Sequence, residues 1–331
     1  MTATTTRPIN SDASTAPRRL FFCRTPLQAL IVQWIQQRSP GRDTILYYPH
    51  SNSVKHLHYA KRLRGELCFV PFAYPLNSHF VSEVYALMRI PRRVMFGVYD
   101  ELYAASIGEF CFSMLAGWNR RALINTFDDG TGNICADAYS VGVANEGPAH
   151  FRYFKAALFG RTNHEILTTA VAHYTIYDPE LNIFHARQFV RLDLFPAPTV
   201  SARLDERPVV VVLGTPIHIV APHKTEAYRA FVKSLKPDIF LPHPAEHAEP
   251  ELAEAFRDDG EIARIAKECI AEEVIGAVAA RGYKVIVHGF GSTALGNVRD
   301  FAEVKNYHVV PPRPGASAYY ERVGMPSVSI D

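Results

Sequence analysis

The chain has little excess charge. Its 35 Lys plus Arg stand against 33 Asp plus Glu and leave +2, so the broad basic surface that nucleic-acid binding demands is missing. Cysteine is scarce, with five in 331 residues. Cys23, Cys68, Cys111, Cys135 and Cys269 are widely spaced, odd in number and form no C-x-x-C pair. They read as reduced, mostly buried thiols rather than a disulfide framework or a thiolate metal site. Long apolar runs are also absent: the longest, 209–221, is broken by Gly214, Pro216 and His218 and falls short of the ~20 residues a spanning helix needs. Residues 1–18, rich in Thr, Ser and Pro, lack a signal-type apolar stretch and read as a disordered leader. The expected location is cytoplasmic. No internal repeat is present. What the chain does carry is 48% hydrophobic residues over a length worth about two domains, enough for two buried cores.

Arg19–Cys23 (RLFFC) is a short apolar burst. After it, Leu27, Leu30, Ile31, Trp34 and Ile35 recur at helical spacing, with Thr25 as N-cap and Pro26 in the first turn. The alternation continues, with strands expected at 44–48, 67–71, 94–98 and 122–127 and helices at 50–63, 78–88 and 101–115. That rhythm predicts a parallel sheet covered on both faces. It loosens between 148 and 195, where Pro196, Pro198 and Pro208 then mark a passage between domains. A second series follows, with strands at 208–213, 238–241, 284–288, 307–309 and 327–330 and helices at 224–235, 262–281 and 292–300. The chain is therefore read as α/β, with two Rossmann-like domains, 19–200 including the linker and 201–331. They should face each other across a cleft that takes its ligand at the carboxyl ends of the strands.

That placement shortens the list of polar residues able to act. The first candidate is FDDGTGNI, 127–134, directly after a strand. Asp128 and Asp129 are adjacent carboxylates whose crowding suits a general base, and Gly130 lets backbone N–H groups approach a ligand. A turn in which an aspartate only bonds its own backbone is the plainer reading. The second is FLPHPAEH, 240–247, where Pro242 and Pro244 stiffen the backbone around His243 and aim its imidazole. Glu246 is spaced to orient His243 or a sugar hydroxyl. His243 and His247 stand four apart like a metal pair, but Pro244 lies between them and no third ligand follows, so no metal is expected. The third is HGFGSTALGN, 288–297, where His288 and Gly289 end a strand and Ser292 and Thr293 open a helix, a setting that favours phosphate or carboxylate. Simple N-capping by Ser292 is the competing reading. Thr25, Pro26, Gly214, Thr215 and Pro244 also follow strands and join the expected substrate-binding set. The basic run MRIPRRV, 88–94, could attract an anionic glycolipid or a membrane surface, though a solvated basic face is the plainer reading, and His218 and His223 lie near the expected cleft.

Taken in order, CRTPLQALI (23–31), FDDGTGNI and LPHPAEH resemble the bacterial sialyltransferases, most closely the lipooligosaccharide sialyltransferases of glycosyltransferase family 52. The resemblance implies a two-domain GT-B type architecture over residues 19–331. It places Asp129, with Asp128, in an acidic motif, His243 and Pro244 in a His-Pro motif, and Ser292 and Thr293 in a serine/threonine segment near the donor. CMP-sialic acid is the implied donor and a galactose-terminated glycan the implied acceptor, with no cofactor, no catalytic metal, a homodimer, and contact with the periphery of the inner membrane. The mechanism it implies is an inverting displacement with Asp129 as base and His243 serving the departing phosphate. One departure stands out: the family places an aspartate between the first strand of the second domain and the His-Pro motif, and here 214–236 contains only one acid, Glu226. The role would then fall to Asp129 or His223. The alternatives are a transferase of another nucleotide-activated sugar, a non-catalytic nucleotide- or glycan-binding protein, and a metal-dependent hydrolase using Asp128, Asp129, His243 and His247.

Overall fold

The computed structural model describes residues 16–49, 51, 53–71, 87–105, 107–130, 133–134, 163–182, 184–200, 204, 207–246, 248–310 and 314–330. It contains two sheets. The first is entirely parallel, with strands β1 (Arg18–Cys23), β2 (Arg42–Tyr47), β3 (Glu66–Phe69), β4 (Glu101–Ala104), β5 (Leu123–Phe127), β6 (Ala172–Thr175) and β7 (Gln188–Arg191) in the order 3-2-1-4-5-6-7. The second holds β8 (Val209–Leu213), β9 (Ile239–Leu241), β10 (Glu251–Leu252), β11 (Val285–Gly289), β12 (Glu303–His308) and β13 (Ser327–Ser329) in the order 10-9-8-11-12-13. Only the β10–β9 pair is antiparallel. The expected fold class, two Rossmann-like α/β domains, is the architecture found. Strand order reverses between β1 and β4 in one sheet and between β8 and β11 in the other. Such reversals open crevices at the carboxyl ends of strands.

Local sequence explains the entry to each domain. In β1 five consecutive side chains are buried, as a strand covered on both faces requires. The chain then turns at Thr25, whose side chain accepts from the Gln28 N–H at 3.2 Å, and Pro26 starts the helix Pro26–Arg38. Ala29, Ile31, Val32 and Ile35 of that helix enter a core that runs on without a break into β8, β11 and the helix Ala271–Ala280 of the second domain. A second core, with Leu102, Phe112 and Leu115, fills the other face of the first sheet. Cys23, Cys68, Cys111 and Cys269 are buried thiols, while Cys135 lies outside the described residues. Among the described residues no helix is long and apolar enough to cross a membrane.

Several expected elements are corrected. The strand read at 94–98 is the helix Arg92–Met95, and the helix read at 101–115 is β4 followed by the helix Phe110–Trp118. Periodicity misled there because a central parallel strand, buried on both faces, has the same continuous apolar signature as a buried helix. The single helix read at 262–281 is two, Gly260–Glu268 and Ala271–Ala280, parted at Cys269 and Ile270 in extended backbone. Ile270 N–H leaves the helical ladder and donates to Tyr59 Oη of the other domain at 3.0 Å. β6 and β7 are regular strands inside the stretch read as irregular, and β10 was missed as well. The helix expected at 78–88 falls, up to residue 86, outside the described residues.

A buried ion pair pins the start of the first sheet. Arg19, 1% exposed, donates twice to the Asp43 carboxylate, at 2.6 and 2.9 Å, and Gln36 Nε2 adds a third bond at 2.7 Å. Asp43→Ala strands the guanidinium and is expected to cost about 3 kcal/mol or more in a urea titration, whereas Asp43→Asn should cost less because it still accepts.

Candidate active site

Both switch points open into one space. A cleft of about 420 Å3 lies between the sheets, lined by Thr25, Pro26, Ser53, Lys55 and His56 on one side. The facing wall comprises Gly214, Thr215, His243, Pro244, Glu272 and the run from Phe290 to Ala294. Eight residues singled out from the sequence therefore meet here: Thr25, Pro26, Gly214, Thr215, His243, Pro244, Ser292 and Thr293. A second hollow of about 380 Å3 adjoins it, sharing Thr215, Phe290 and Gly291 and walled by Asn306, Tyr307 and Val309 at the end of β12.

The acidic turn divides its two carboxylates. Asp128 is fully buried: it faces His173 Nε2 at 3.0 Å and accepts from the Ile176 N–H at 2.6 Å. Thr126 Oγ1 and Asn182 complete this network around His173. Asp129, the next residue along, is half-buried and accepts from Gln28 Nε2 at 2.5 Å, while its own N–H donates to Asn133 Oδ1 at 2.9 Å. The expected crowding of two carboxylates is corrected by this geometry, because successive side chains leaving a strand point to opposite sides. Asp128 ties β5 to β6 and is a positioning residue. Asp129 does not itself line the cleft; the next residue, Gly130, has φ +80 and packs so tightly that a Cβ there would lie 2.9 Å from Oγ1 of the cleft residue Thr293.

On the facing wall, Pro244–Glu246 make one tight helical turn. Glu246 Oε2 accepts from the His243 N–H at 2.7 Å, and Glu246 N–H donates back to the His243 carbonyl at 2.8 Å. This reciprocal brace, of capping-box type, fixes the backbone and leaves the imidazole exposed at the cleft. Burial pushes the Glu246 carboxyl above its ordinary range, partly offset by that N–H and by His218. Of the two partners expected for Glu246, His243 and a sugar hydroxyl, the structure shows the first. Gly214 allows the fit: a Cβ there would stand 2.6 Å from Glu246 Oε2 and 2.9 Å from His243 N.

Two expected site residues are corrected outright. His288 is buried, its Nδ1 3.1 Å from Tyr307 Oη and its ring stacked on Tyr307, because it alternates with Val287 and Gly289 onto the opposite face of β11. Gly289 serves packing, since a Cβ there would meet Leu295 at 3.1 Å. Ser292 caps the helix Thr293–Val298 through the Ala294 N–H, at 3.3 Å. Among the described residues no group of three His, Cys, Asp or Glu could hold a metal ion, and His247 lies outside them. Glu226 is exposed and paired with Arg229, away from the cleft.

Two cleft residues carried no signal in the sequence. Lys55 is half-buried beside His243, and no carboxylate among the described residues reaches it as an ion-pair partner. Burial holds its pKa below the ordinary lysine value, against the opposing pull of Cys269, Glu272 and Glu249. Glu272 is buried with its Oε1 accepting from Asn297 Nδ2 at 2.8 Å, and burial raises its pKa. Both belong to helices with no recognisable motif, and only the docking of the domains brings them together.

Fold and site define a two-domain α/β protein with a cleft between the strand ends of two sheets. The sequence model of glycosyltransferase family 52 matches residues 49–312, and the chain belongs to that family. Family members transfer a sugar from a nucleotide-sugar donor to a glycan acceptor. The chain is 25% identical over 310 residues to a CMP-N-acetylneuraminate:beta-galactoside alpha-2,3-sialyltransferase of Pasteurella multocida (strain Pm70), covering 91% of this chain and 95% of the relative. It is 24% identical over 238 residues to an N-acetyllactosaminide alpha-2,3-sialyltransferase of Neisseria meningitidis serogroup A, covering 64% of each. Among solved structures, Acinetobacter baumannii MurG superposes with a TM-score of 0.48 at 10% identity, covering 95% of this chain and 86% of its own. A UDP-N-acetylglucosamine 2-epimerase gives 0.49 at 10% identity, covering 96% and 84%.

Two measurements test this description. Gly130→Ala forces a side chain into a left-handed backbone and against Thr293, and is expected to cost about 1–2 kcal/mol of stability in denaturant titration. Glu272 behaves oppositely to a salt-bridged acid. Its folded pKa is raised, so the unfolded chain ionises first, and stability falls as pH climbs from the ordinary carboxylate range through the folded value. Glu272→Gln should therefore melt above the wild type at about pH 7, with the gap closing as pH falls toward about 4.

Proposed function

We propose that the protein is an inverting, metal-independent sialyltransferase that moves sialic acid from CMP-sialic acid to a galactose-terminated glycan such as lipooligosaccharide. The observation that carries this reading is the meeting of His243, Ser292, Thr293, Thr25 and Lys55 around one cleft, with Gly130, next to Asp129, packed on Thr293. The alpha-2,3-sialyltransferase activities of both relatives agree with it. The enzyme acts in the cytoplasm as a homodimer at the inner membrane and needs no cofactor.

In this reading the cytidine occupies the smaller hollow, with the base against Tyr307 and Phe290, and the phosphate reaches into the cleft beside Ser292 and Thr293. The acceptor oxygen attacks the anomeric carbon as the bond from that carbon to the phosphate oxygen breaks. Asp129, held by Gln28, takes the acceptor's proton, and His243 gives one to the departing phosphate. Lys55 faces the sugar carboxylate from the first domain, where an anion returns the solvation its ammonium loses by burial. With Glu226 outside the cleft and Glu272 bonded to Asn297, this reading gives the role of base to Asp129.

CMP release from CMP-sialic acid and lactose, measured without added metal and in the presence of a chelator, tests the assignment. Asp129→Asn and His243→Ala should each lower kcat by ~10²-fold or more. Lys55→Met should raise the donor KM more than it lowers kcat. No release from the folded protein, with several galactosides tried, overturns the reading.

A further inference from the structure

We propose that the first domain docks on an anionic lipid surface through a patch formed where the helices Arg92–Met95 and Phe110–Trp118 run out. Each helix leads into a parallel strand, β4 or β5, so their last residues lie at the edge of the sheet where strands begin. The cleft is at the opposite edge. At this end Phe96 stacks on Trp118 with ring centroids 4.7 Å apart, and yet the two are 63% and 42% exposed. Val98 and Leu123 beside them are 70% and 51% exposed, and Met88, just upstream, is 73% exposed. Rings stacked on each other but open to water form a preassembled apolar surface larger than scattered exposed residues provide.

The surroundings of this patch identify its partner. Arg89, Arg92, Arg120 and Arg121, all exposed, flank the apolar residues in the same two stretches of chain, with Arg93 among them paired to Glu66. Of the nearby acids, Glu66 is held by Arg93 at 2.5 Å, and Asp100 accepts from the Arg18 N–H at 2.8 Å. Aromatic rings set among guanidinium groups match the headgroup layer of a bilayer, where rings settle at the interface and each basic residue gains from anionic phosphates. A second copy of the chain fits less well. A two-fold contact would set the same arginines against each other.

Docking here holds the first domain to the bilayer with the cleft turned outward across β4 and β5, about 13–17 Å long at ~3.3 Å per residue. An acceptor on the same membrane must therefore be the outer end of an extended glycan.

The chain has two tryptophans, and Trp34 lies under the Arg38 guanidinium in the first helix, so Trp34→Phe leaves Trp118 as the single emitter. With phosphatidylcholine vesicles containing phosphatidylglycerol, Trp118 emission should shift to the blue and the protein should sediment with the lipid. Both effects should weaken on phosphatidylcholine alone and on adding salt. The pairs Phe96→Ser with Trp118→Ser and Arg92→Glu with Arg121→Glu should each lower the bound fraction roughly tenfold, with circular dichroism unchanged. The charge pair retains Trp118 and so keeps the test open if the apolar pair misfolds. Unmoved emission on anionic vesicles overturns the proposal. So does a blue shift that grows with protein concentration in the absence of lipid, which would make the face a contact between copies of the chain. None of these readouts requires sugar transfer, so the proposal stands or falls separately from the assigned reaction.

Discussion

The hydroxyl of Tyr59 holds the two domains in the relation on which the cleft depends. It is buried, donates to the Glu273 carboxylate and accepts from the Ile270 N–H, while Arg62 reaches the same carboxylate at 3.1 Å. Hydrogen bonds to charged groups are the stronger kind; here Tyr59 is buried, while Arg62 and Glu273 are partly exposed, so solvent weakens the ion pair more than the bonds at the hydroxyl. It also decides local structure, because the N–H it takes from Ile270 ends one helix and starts another. Glu272 reaches the cleft wall through that break. Farther along, Tyr177 meets Tyr319 edge-on at 5.6 Å and Arg322 pairs with Asp178 at 3.3 Å and Glu180 at 3.2 Å, closing the other end of the interface.

With the domains so held, the site divides labour between neighbours in sequence. Asp128 and Asp129 differ by one position and by almost everything else. One is sealed behind His173 and joins two strands; the other is half-buried and held by Gln28 of the first helix. His243 and Glu246 form a second such pair, in which the carboxylate fixes the backbone and the imidazole is left to act. Rigid placement of this kind is how a loop residue acquires the precision of one on a strand.

The main architecture was legible in the sequence because strand-helix alternation and Gly- or Pro-marked strand ends are local signals. β1, β5, β8, β11 and the caps at Thr25 and Ser292 were read from such signals. The exchange of strand and helix around 94–115 had a different cause: apolar runs buried on all sides lose their period. β6 escaped for the opposite reason, since His173 within it is polar and only its bonds to Thr126 and Asp128 make burial tolerable.

By itself the sequence determined which short segments would stand at strand ends, and hence that LPHP and the glycine-rich turn after β11 would line one cleft, since local conformation and burial pattern need only neighbouring residues. Tertiary structure alone decided which side chains within those segments face the cleft. His288 and Asp128 point away because alternation along a strand is set by register against the core. Lys55 and Glu272 enter because contacts formed more than two hundred residues apart bring their helices together.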